Sequence, residues 1–156
     1  MTWVQDGIFA AGGEHLPSTW AEFSDQTGIR AVLHLSPGRP ATFQGPPPAR
    51  LLWLGIENEA QASSDDRLLA GRFVADCLSE GLSVVLHSSL GRHRTRWVYV
   101  AYEICAGRQV RSALRRAADR PWLAPYHTDE AAWQRLAETI ASEAGRTELA
   151  DGRRAS

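Results

Sequence analysis

The chain has 156 residues, and all seventeen of its lysine-or-arginine positions are arginine. This length corresponds to one domain with a single sizeable core. The absence of lysine excludes Schiff-base chemistry on a lysine and the nucleotide-hydrolase loop whose lysine reaches the phosphates. The formal net charge is −1, so the chain lacks the basic excess typical of nucleic-acid binding, and a nucleic-acid partner is not expected.

The apolar patterning indicates neither export nor membrane insertion. Residues 1–11 carry no basic segment followed by an apolar one, as an export signal would. No later run approaches the roughly eighteen apolar residues of a membrane span, so no membrane partner is expected. The two cysteines, Cys77 and Cys105, form no Cys-x-x-Cys pair, which favours a reduced, cytoplasmic protein.

Short apolar runs alternate with helical patterns along the chain. In chain order the patterns predict a strand at 31–35, a proline-rich extended loop at 38–50, a strand at 51–54, a helix at 64–80, a strand at 83–87, and helices at 97–106, 110–118 and 128–143. Continuous apolar runs suit strands that are covered on both faces. The alternation predicts an α/β fold, with one domain over 1–144 and a largely parallel sheet flanked by helices. The polar tail over 145–156 is expected to fray.

The segment 84–95 is the most informative part of the sequence, because a buried strand runs through a short loop directly into a buried helix. In that geometry successive backbone N–H groups converge, and the helix dipole adds to their positive potential. Gly91 permits a sharp backbone path. Arg94, at the helix start, can bind two oxygens of an oxyanion at once. The sequence therefore predicts an anion-binding loop.

This segment resembles the active-site loop of the cysteine-dependent protein tyrosine and dual-specificity phosphatases, whose pattern is His-Cys-x-x-Gly-x-x-Arg-Ser/Thr after an apolar strand. The positions in register are His87, Gly91, Arg94 and Thr95. Ser88 occupies the position of the catalytic cysteine. The similarity extends over about 3–107 and is strongest for the compact dual-specificity type, which implies the phosphatase fold.

The resemblance also implies roles for the loop residues. The residue at position 88 would attack phosphorus, Thr95 would hydrogen-bond this nucleophile, and His87 would orient the loop. The phosphoryl oxygens would be held by the Arg94 guanidinium and by the backbone N–H groups of Ser89, Leu90, Gly91, Arg92, His93 and Arg94. The implied ligand is a phosphorylated protein or a small phosphomonoester, with phosphate or sulfate as simpler occupants. No cofactor and no metal are implied.

Ser88 changes the expected chemistry. A thiol at a helix N-terminus can have its pKa lowered to roughly 3.5–7.5 and exists as thiolate at neutral pH. A serine hydroxyl starts far higher, and the motif places no base beside it. Two explanations stay open: Ser88 is native and the protein is a pseudophosphatase that binds phospho-ligands, or serine replaces the cysteine of an active phosphomonoester hydrolase.

The general acid is a second departure from the family pattern. The resemblance places an aspartate about thirty residues before the nucleophile, but this region reads Ile-Glu-Asn-Glu-Ala over 56–60. Glu57 or Glu59 could protonate a leaving oxygen. Each is equally well explained as an ordinary solvated acid. Asn58 in the position of the acid would be a further sign of lost catalysis.

Other candidate residues lie outside the motif or have no role in it. The remaining histidines show no metal-ligand spacing; they are His15, His34, His93 and His127. His34 is expected to be a satisfied core or rim residue, whereas His93 lies inside the loop and could contact a ligand. The turn over 121–127 contains Trp122, which is expected to pack on the core.

Overall fold

The computed structural model describes residues 1–13, 16–38 and 42–155, without the side chains of 153–155. Its strands are β1 (Thr2–Gln5), β2 (Ile8–Gly12), β3 (Ile29–Leu35), β4 (Arg50–Leu54) and β5 (Ser83–Ser88). Its α-helices are α1 (Trp20–Thr27), α2 (Ser64–Ser79), α3 (Arg96–Cys105), α4 (Val110–Asp119) and α5 (Glu130–Ala155). Two 3₁₀ helices cover Glu59–Gln61 and Arg92–Thr95.

The five strands form one sheet in the order β1-β2-β5-β3-β4. β1 pairs antiparallel with β2, and every other pairing is parallel. In the centre, β3 and β5 pair so that His34 lies opposite His87 and Leu35 lies opposite Ser88. Because parallel strands end at the same edge, the segments that follow β2, β3 and β5 meet there.

The central strands contribute to a core on each face of the sheet. Leu33 and Leu86 belong to the larger core, which includes residues of α2, α3, α4 and α5. Val32 and Val85 belong to a smaller core that is closed by Trp20 of α1. This two-sided burial explains the continuous apolar runs of the sequence. The predicted α/β domain, with a mostly parallel sheet flanked by helices, is confirmed.

Some elements differ from the sequence-based expectation. β1, β2 and α1 have no counterpart in the predicted order, and they are only four, five and eight residues long. α5 continues to Ala155, so the predicted helix end at 143 is wrong, and the polar residues 145–155 continue the helix. Alanine and arginine make up half of residues 144–155, and these strong helix formers outweigh the cost of the two glycines there.

Within the predicted loop over 38–50, residues 39–41 lie outside the described residues. In the described remainder, Gln44 forms an isolated bridge with Thr19, and Phe43 packs edge-on against Trp20.

None of the helices in the described ranges is both long enough and apolar enough to cross a membrane.

α3 is the central helix, and α2 approaches it closely at Gly71. A Cβ added to Gly71 would lie 2.6 Å from the carbonyl oxygen of Ala101 and 2.6 Å from the Cys105 Sγ atom. These atoms belong to the backbone and to a partly buried thiol of α3, and the backbone atom cannot move away at low cost. The absence of a side chain at Gly71 therefore sets the distance between the two helices.

We expect Gly71→Ala to destabilise the fold by about 1–3 kcal/mol, because the overpacking outweighs the gain in helix propensity. Gly145→Ala, in the exposed part of α5 with open space around its Cα, is the matched control and should keep or slightly raise the stability. Urea unfolding measures both. Equal stability of the Gly71→Ala variant and the parent would contradict this account of the helix contact.

Candidate functional site

The loop that follows β5 begins between the ends of two parallel neighbours. The Gly13 N–H donates to the Ser88 carbonyl at 3.0 Å, from the turn after β2. The Ser89 N–H donates to the Leu35 carbonyl at 3.3 Å, at the end of β3. The sheet thus fixes where the loop starts, and the 3₁₀ turn Arg92–Thr95 leads from it into α3.

Two glycines allow the path of this loop. Gly91 has φ 121° and ψ 154°, a conformation that residues with a Cβ rarely adopt. Gly12, at the end of β2, packs directly against the loop backbone, and a Cβ there would overlap the backbone nitrogen of Arg92. The motif identified Gly91. Gly12 has no comparable local signal, because its constraint comes from the loop residues Gly91 and Arg92, some eighty residues later in the chain.

Ser88 is buried, with 1% of its surface exposed. Its Oγ atom accepts a hydrogen bond from the Leu90 N–H at 3.2 Å. The neighbouring imidazole of His87 cannot act as its base, because successive side chains of a strand point to opposite faces of the sheet. His87 is therefore not placed to remove the serine proton.

His87 and His34 form a buried pair across β5 and β3. Their Nδ1 atoms are 2.8 Å apart, and the His87 Nε2 atom lies 2.9 Å from the Gly13 carbonyl. A carbonyl can only accept, so the neutral His87 carries its proton on Nε2, and the Nδ1–H of His34 donates to His87. His87 thereby holds the turn after β2. Burial, with a smaller effect of His87, lowers the pKa of His34 to about 4.

The backbone N–H groups of the loop are mostly engaged within the protein. Besides those of Ser89 and Leu90, the Gly91 N–H donates to the Ser88 carbonyl and the Arg94 N–H to the Gly91 carbonyl. The expected convergence of all six groups is thus not formed in this conformation, because each of these donors finds a carbonyl or hydroxyl nearby. Two N–H groups, those of Arg92 and His93, have no acceptor among the described hydrogen bonds.

The three side chains that follow Gly91 are exposed, but they differ in whether they contact the rest of the protein. Arg94 is exposed, and no hydrogen bond or ion pair of its guanidinium occurs within 1–13, 16–38 and 42–155. Arg92 is exposed and donates to the Thr2 hydroxyl at 2.9 Å. His93 is exposed as well, and partial desolvation together with the charges of Arg92 and Arg96 lowers its pKa. The rim of the loop is therefore cationic.

Thr95 does not have the expected partner. Its side chain is fully buried, and its hydroxyl donates to the Arg92 carbonyl at 2.6 Å rather than to Ser88. Threonine hydroxyls in helical turns commonly bond the carbonyl three residues earlier. Thr95 therefore stabilises the 3₁₀ turn in this conformation.

The two candidate acids differ in their surroundings. Glu59 accepts hydrogen bonds from the hydroxyl groups of Tyr126 and Thr128 and lies 3.9 Å from the guanidinium of Arg67. This carboxylate is committed to the fold, so its expected role as general acid is not supported. Glu57 is exposed, and its backbone N–H donates to the Gln61 side chain at 2.8 Å.

Asn58 occupies the expected position of the acid and is the N-cap residue of the 3₁₀ helix Glu59–Gln61, where its backbone N–H donates to the Gln61 side chain at 3.3 Å. The cysteines elsewhere in the chain do not replace the missing nucleophile. Burial raises the pKa of both Cys77 and Cys105 to about 11, so both stay protonated and unreactive at neutral pH.

No cluster of three or more metal-ligating side chains occurs in the part of the chain that the structure describes.

The segment 120–128, between α4 and α5, contacts the loop directly. The Trp122 indole N–H donates to the Arg92 carbonyl at 2.9 Å. Arg96 is 3% exposed and donates to the Ala124 carbonyl at 2.9 Å. Its guanidinium also lies over the Tyr126 ring at 4.9 Å. Sequence reasoning placed Trp122 in the core, where it is, but missed its bond to the loop.

Comparison with known proteins gives a likeness of structure alone. No family sequence profile matches the chain, and no curated protein matches it in sequence. Human DUSP28 is similar with a TM-score of 0.71 and 14% identity, over 92% of this chain and 99% of that one. A mouse protein assigned as a dual specificity phosphatase, complexed with zinc tungstate, is similar with a TM-score of 0.70 and 16% identity, over 91% and 89%.

The human tyrosine phosphatase-like serine/threonine/tyrosine-interacting protein is also similar, with a TM-score of 0.61 and 14% identity over 94% of this chain and 97% of that one. These structures share one architecture along nearly the whole chain. The chain has the dual-specificity phosphatase fold. In this fold the loop over 88–95 stands at the edge where the parallel strands end, as the sequence resemblance implied.

We expect acid to destabilise the fold partly through His34. The pKa of His34 is about 4 in the folded protein, whereas the ordinary value for histidine is 6.5. Between these pH values the unfolded chain therefore binds more protons than the folded protein does. Stability should therefore fall as the pH drops from 6.5 to 4, by up to about 3 kcal/mol. His34→Asn keeps a side-chain N–H but does not titrate. Its unfolding free energy in urea should fall less on acidification.

The control for this measurement is His127→Asn, which changes an exposed histidine. This variant should keep the pH dependence of the parent. If the parent and His34→Asn lost equal stability on acidification, the buried histidine pair would not be the origin of the effect.

Proposed function

We propose that this protein binds a phosphoryl group in the loop 87–95 and, with serine at position 88, does not hydrolyse it. One observation carries the proposal. The loop lies at the strand ends of a dual-specificity phosphatase fold with Arg94 exposed at its end, whereas the nucleophile position holds a buried serine hydroxyl that accepts from the Leu90 N–H. The ligand would be a phosphorylated protein or a small phosphomonoester, met in the cytoplasm.

The electrostatics of the loop support binding. Arg94 offers a planar pair of donors to two oxygens of a phosphate. Bonds such as that from the Gly91 N–H to the Ser88 carbonyl, 3.2 Å long, join neutral groups, and each contributes about 1 kcal/mol. Hydrogen bonds to a phosphate oxyanion are roughly twice as strong. A bound phosphate would therefore draw these N–H groups away from their internal acceptors.

A related structure supports the choice of ligand. The mouse protein of the same fold was complexed with zinc tungstate, and tungstate is a tetrahedral oxyanion like phosphate. This chain has a glycine-dependent loop path and an exposed guanidinium at Arg94, which such an anion would contact. Phosphate is therefore the simplest probe of this site.

The absence of turnover follows from three features of the site. The Ser88 hydroxyl has a high intrinsic pKa and no base beside it. Glu59 is held by Tyr126 and Thr128, and Asn58 caps a turn, so Glu57 is the only carboxylate of this short segment that is left to protonate a leaving group. If the natural residue at 88 is cysteine, the same scaffold would instead support phosphomonoester hydrolysis.

We expect inorganic phosphate to bind the parent chain, and Arg94→Ala to weaken that binding by about 10- to 100-fold, because a charged hydrogen-bond pair is lost. Isothermal titration calorimetry measures both. The matched control is Arg111→Ala, which removes an exposed arginine of α4 and should leave the affinity within about twofold. Equal weakening by both substitutions would indicate non-specific attraction by surface charge, and the proposed site would be wrong.

A second experiment separates binding from catalysis. Ser88→Cys should restore turnover of a generic aryl phosphate at mildly acidic pH, because the loop and the helix N-terminus lower the pKa of a thiol. Adding Arg94→Ala should reduce this turnover by at least about 100-fold. Phosphate binding without turnover in Ser88→Cys would show that the segment 57–61 has also lost its acid, and the protein would be a binding module only.

A further inference from the structure

The carbonyl of Arg92 accepts hydrogen bonds from two side chains that come from different parts of the chain. The Thr95 hydroxyl donates to it at 2.6 Å from within the same turn. The Trp122 indole N–H donates to it at 2.9 Å from the segment after α4. The indole bond is the only one of the two that ties the loop to the body of the protein.

Trp122 is itself held in place. Its side chain is 2% exposed, its ring lies 5.8 Å from that of Tyr99, and the Arg96 guanidinium lies 5.6 Å above it. The backbone two residues further on is fixed in turn, because Arg96 donates to the Ala124 carbonyl. The indole N–H is therefore a donor on a rigid support, and the Arg92 carbonyl cannot rotate without losing it.

The orientation of this carbonyl decides the orientation of the next N–H group. Arg92 O and His93 N–H belong to one planar peptide unit and point in opposite directions. With the carbonyl directed at Trp122, the His93 N–H is directed away from the indole. It is one of the two loop N–H groups that have no acceptor among the described hydrogen bonds.

We propose that Trp122 is a positioning residue of the loop: its indole N–H fixes the Arg92–His93 peptide so that the His93 N–H is presented to a phosphoryl oxygen. This role rests on the proposed function of the loop. It is a positioning role because Trp122 acts through Arg92 and does not touch the ligand. The loop is thus anchored at its start by the sheet and near its end by the segment 120–128.

The chain offers a matched control in Trp133. This tryptophan is fully buried, and its indole N–H donates to the Thr128 hydroxyl at 2.7 Å. Both side chains thus have the same size, the same burial and one hydrogen bond, but the bond of Trp133 lies outside the loop. Trp122→Phe and Trp133→Phe should therefore cost similar stability and differ in their effect on the loop.

The test measures phosphate affinity by calorimetry and amide hydrogen exchange over 89–95 by NMR. Trp122→Phe should weaken phosphate binding about fivefold to tenfold, as expected for one lost hydrogen bond, and accelerate exchange of the amides over 92–95. Trp133→Phe should leave the affinity within about twofold and the loop exchange unchanged. If Trp122→Phe is unfolded, benzothienylalanine at position 122 removes the N–H and preserves the shape of the ring.

The outcomes separate the two proposals. If the parent chain does not bind phosphate, the proposed function fails, and the exchange rates alone decide the role of Trp122. If Trp122→Phe, or the benzothienylalanine variant, shows parent-like affinity and parent-like exchange in the loop, the positioning role is overturned. Equal effects of Trp122→Phe and Trp133→Phe would overturn it as well, because they would reflect general destabilisation.

Discussion

The peptide unit between Ser88 and Ser89 is bonded to both neighbouring strands. Its carbonyl accepts from the turn after β2, and its N–H donates to the end of β3. Since both partners belong to the parallel sheet, the sheet sets the origin of the loop. The reach of Arg94 from that origin then depends on the turn that Gly91 permits. A shift in either neighbouring strand would move the whole anion site.

The parts that attract an anion and the parts that break a bond have separate physical origins in this fold. Attraction comes from backbone dipoles and one guanidinium, which do not depend on the side chain at position 88. Cleavage needs an ionised nucleophile and an acid for the leaving group. Ser88 does not supply the ionised nucleophile. Glu59 is hydrogen-bonded by Tyr126 and Thr128 and is therefore a poor acid for the leaving group. The proposed binding therefore does not depend on the groups that cleavage needs.

Local patterns predicted the elements whose burial is uniform. β3 and β5 contain continuous apolar runs, and α2 begins at Ser64 as predicted, after Ser63 as its N-cap residue. β1 and β2 escaped prediction because they are short and mix buried with half-exposed residues. The loop of the site could be predicted from a motif of nine consecutive residues. The hydrogen bond from Trp122 to Arg92, by contrast, joins positions 30 residues apart. Such pairs depend on the folded path and leave no local signal.

The burial of Arg96 has an electrostatic consequence for the site. It stands directly after the loop, enclosed by Trp122 and Tyr126, where water screens its charge little. A lysine at this depth would tend to give up its proton, but a guanidinium stays charged. Arg96 thus provides a permanent positive charge directly after the loop, partly offset by Glu59, and under the proposed function this charge would add to the attraction of an anion.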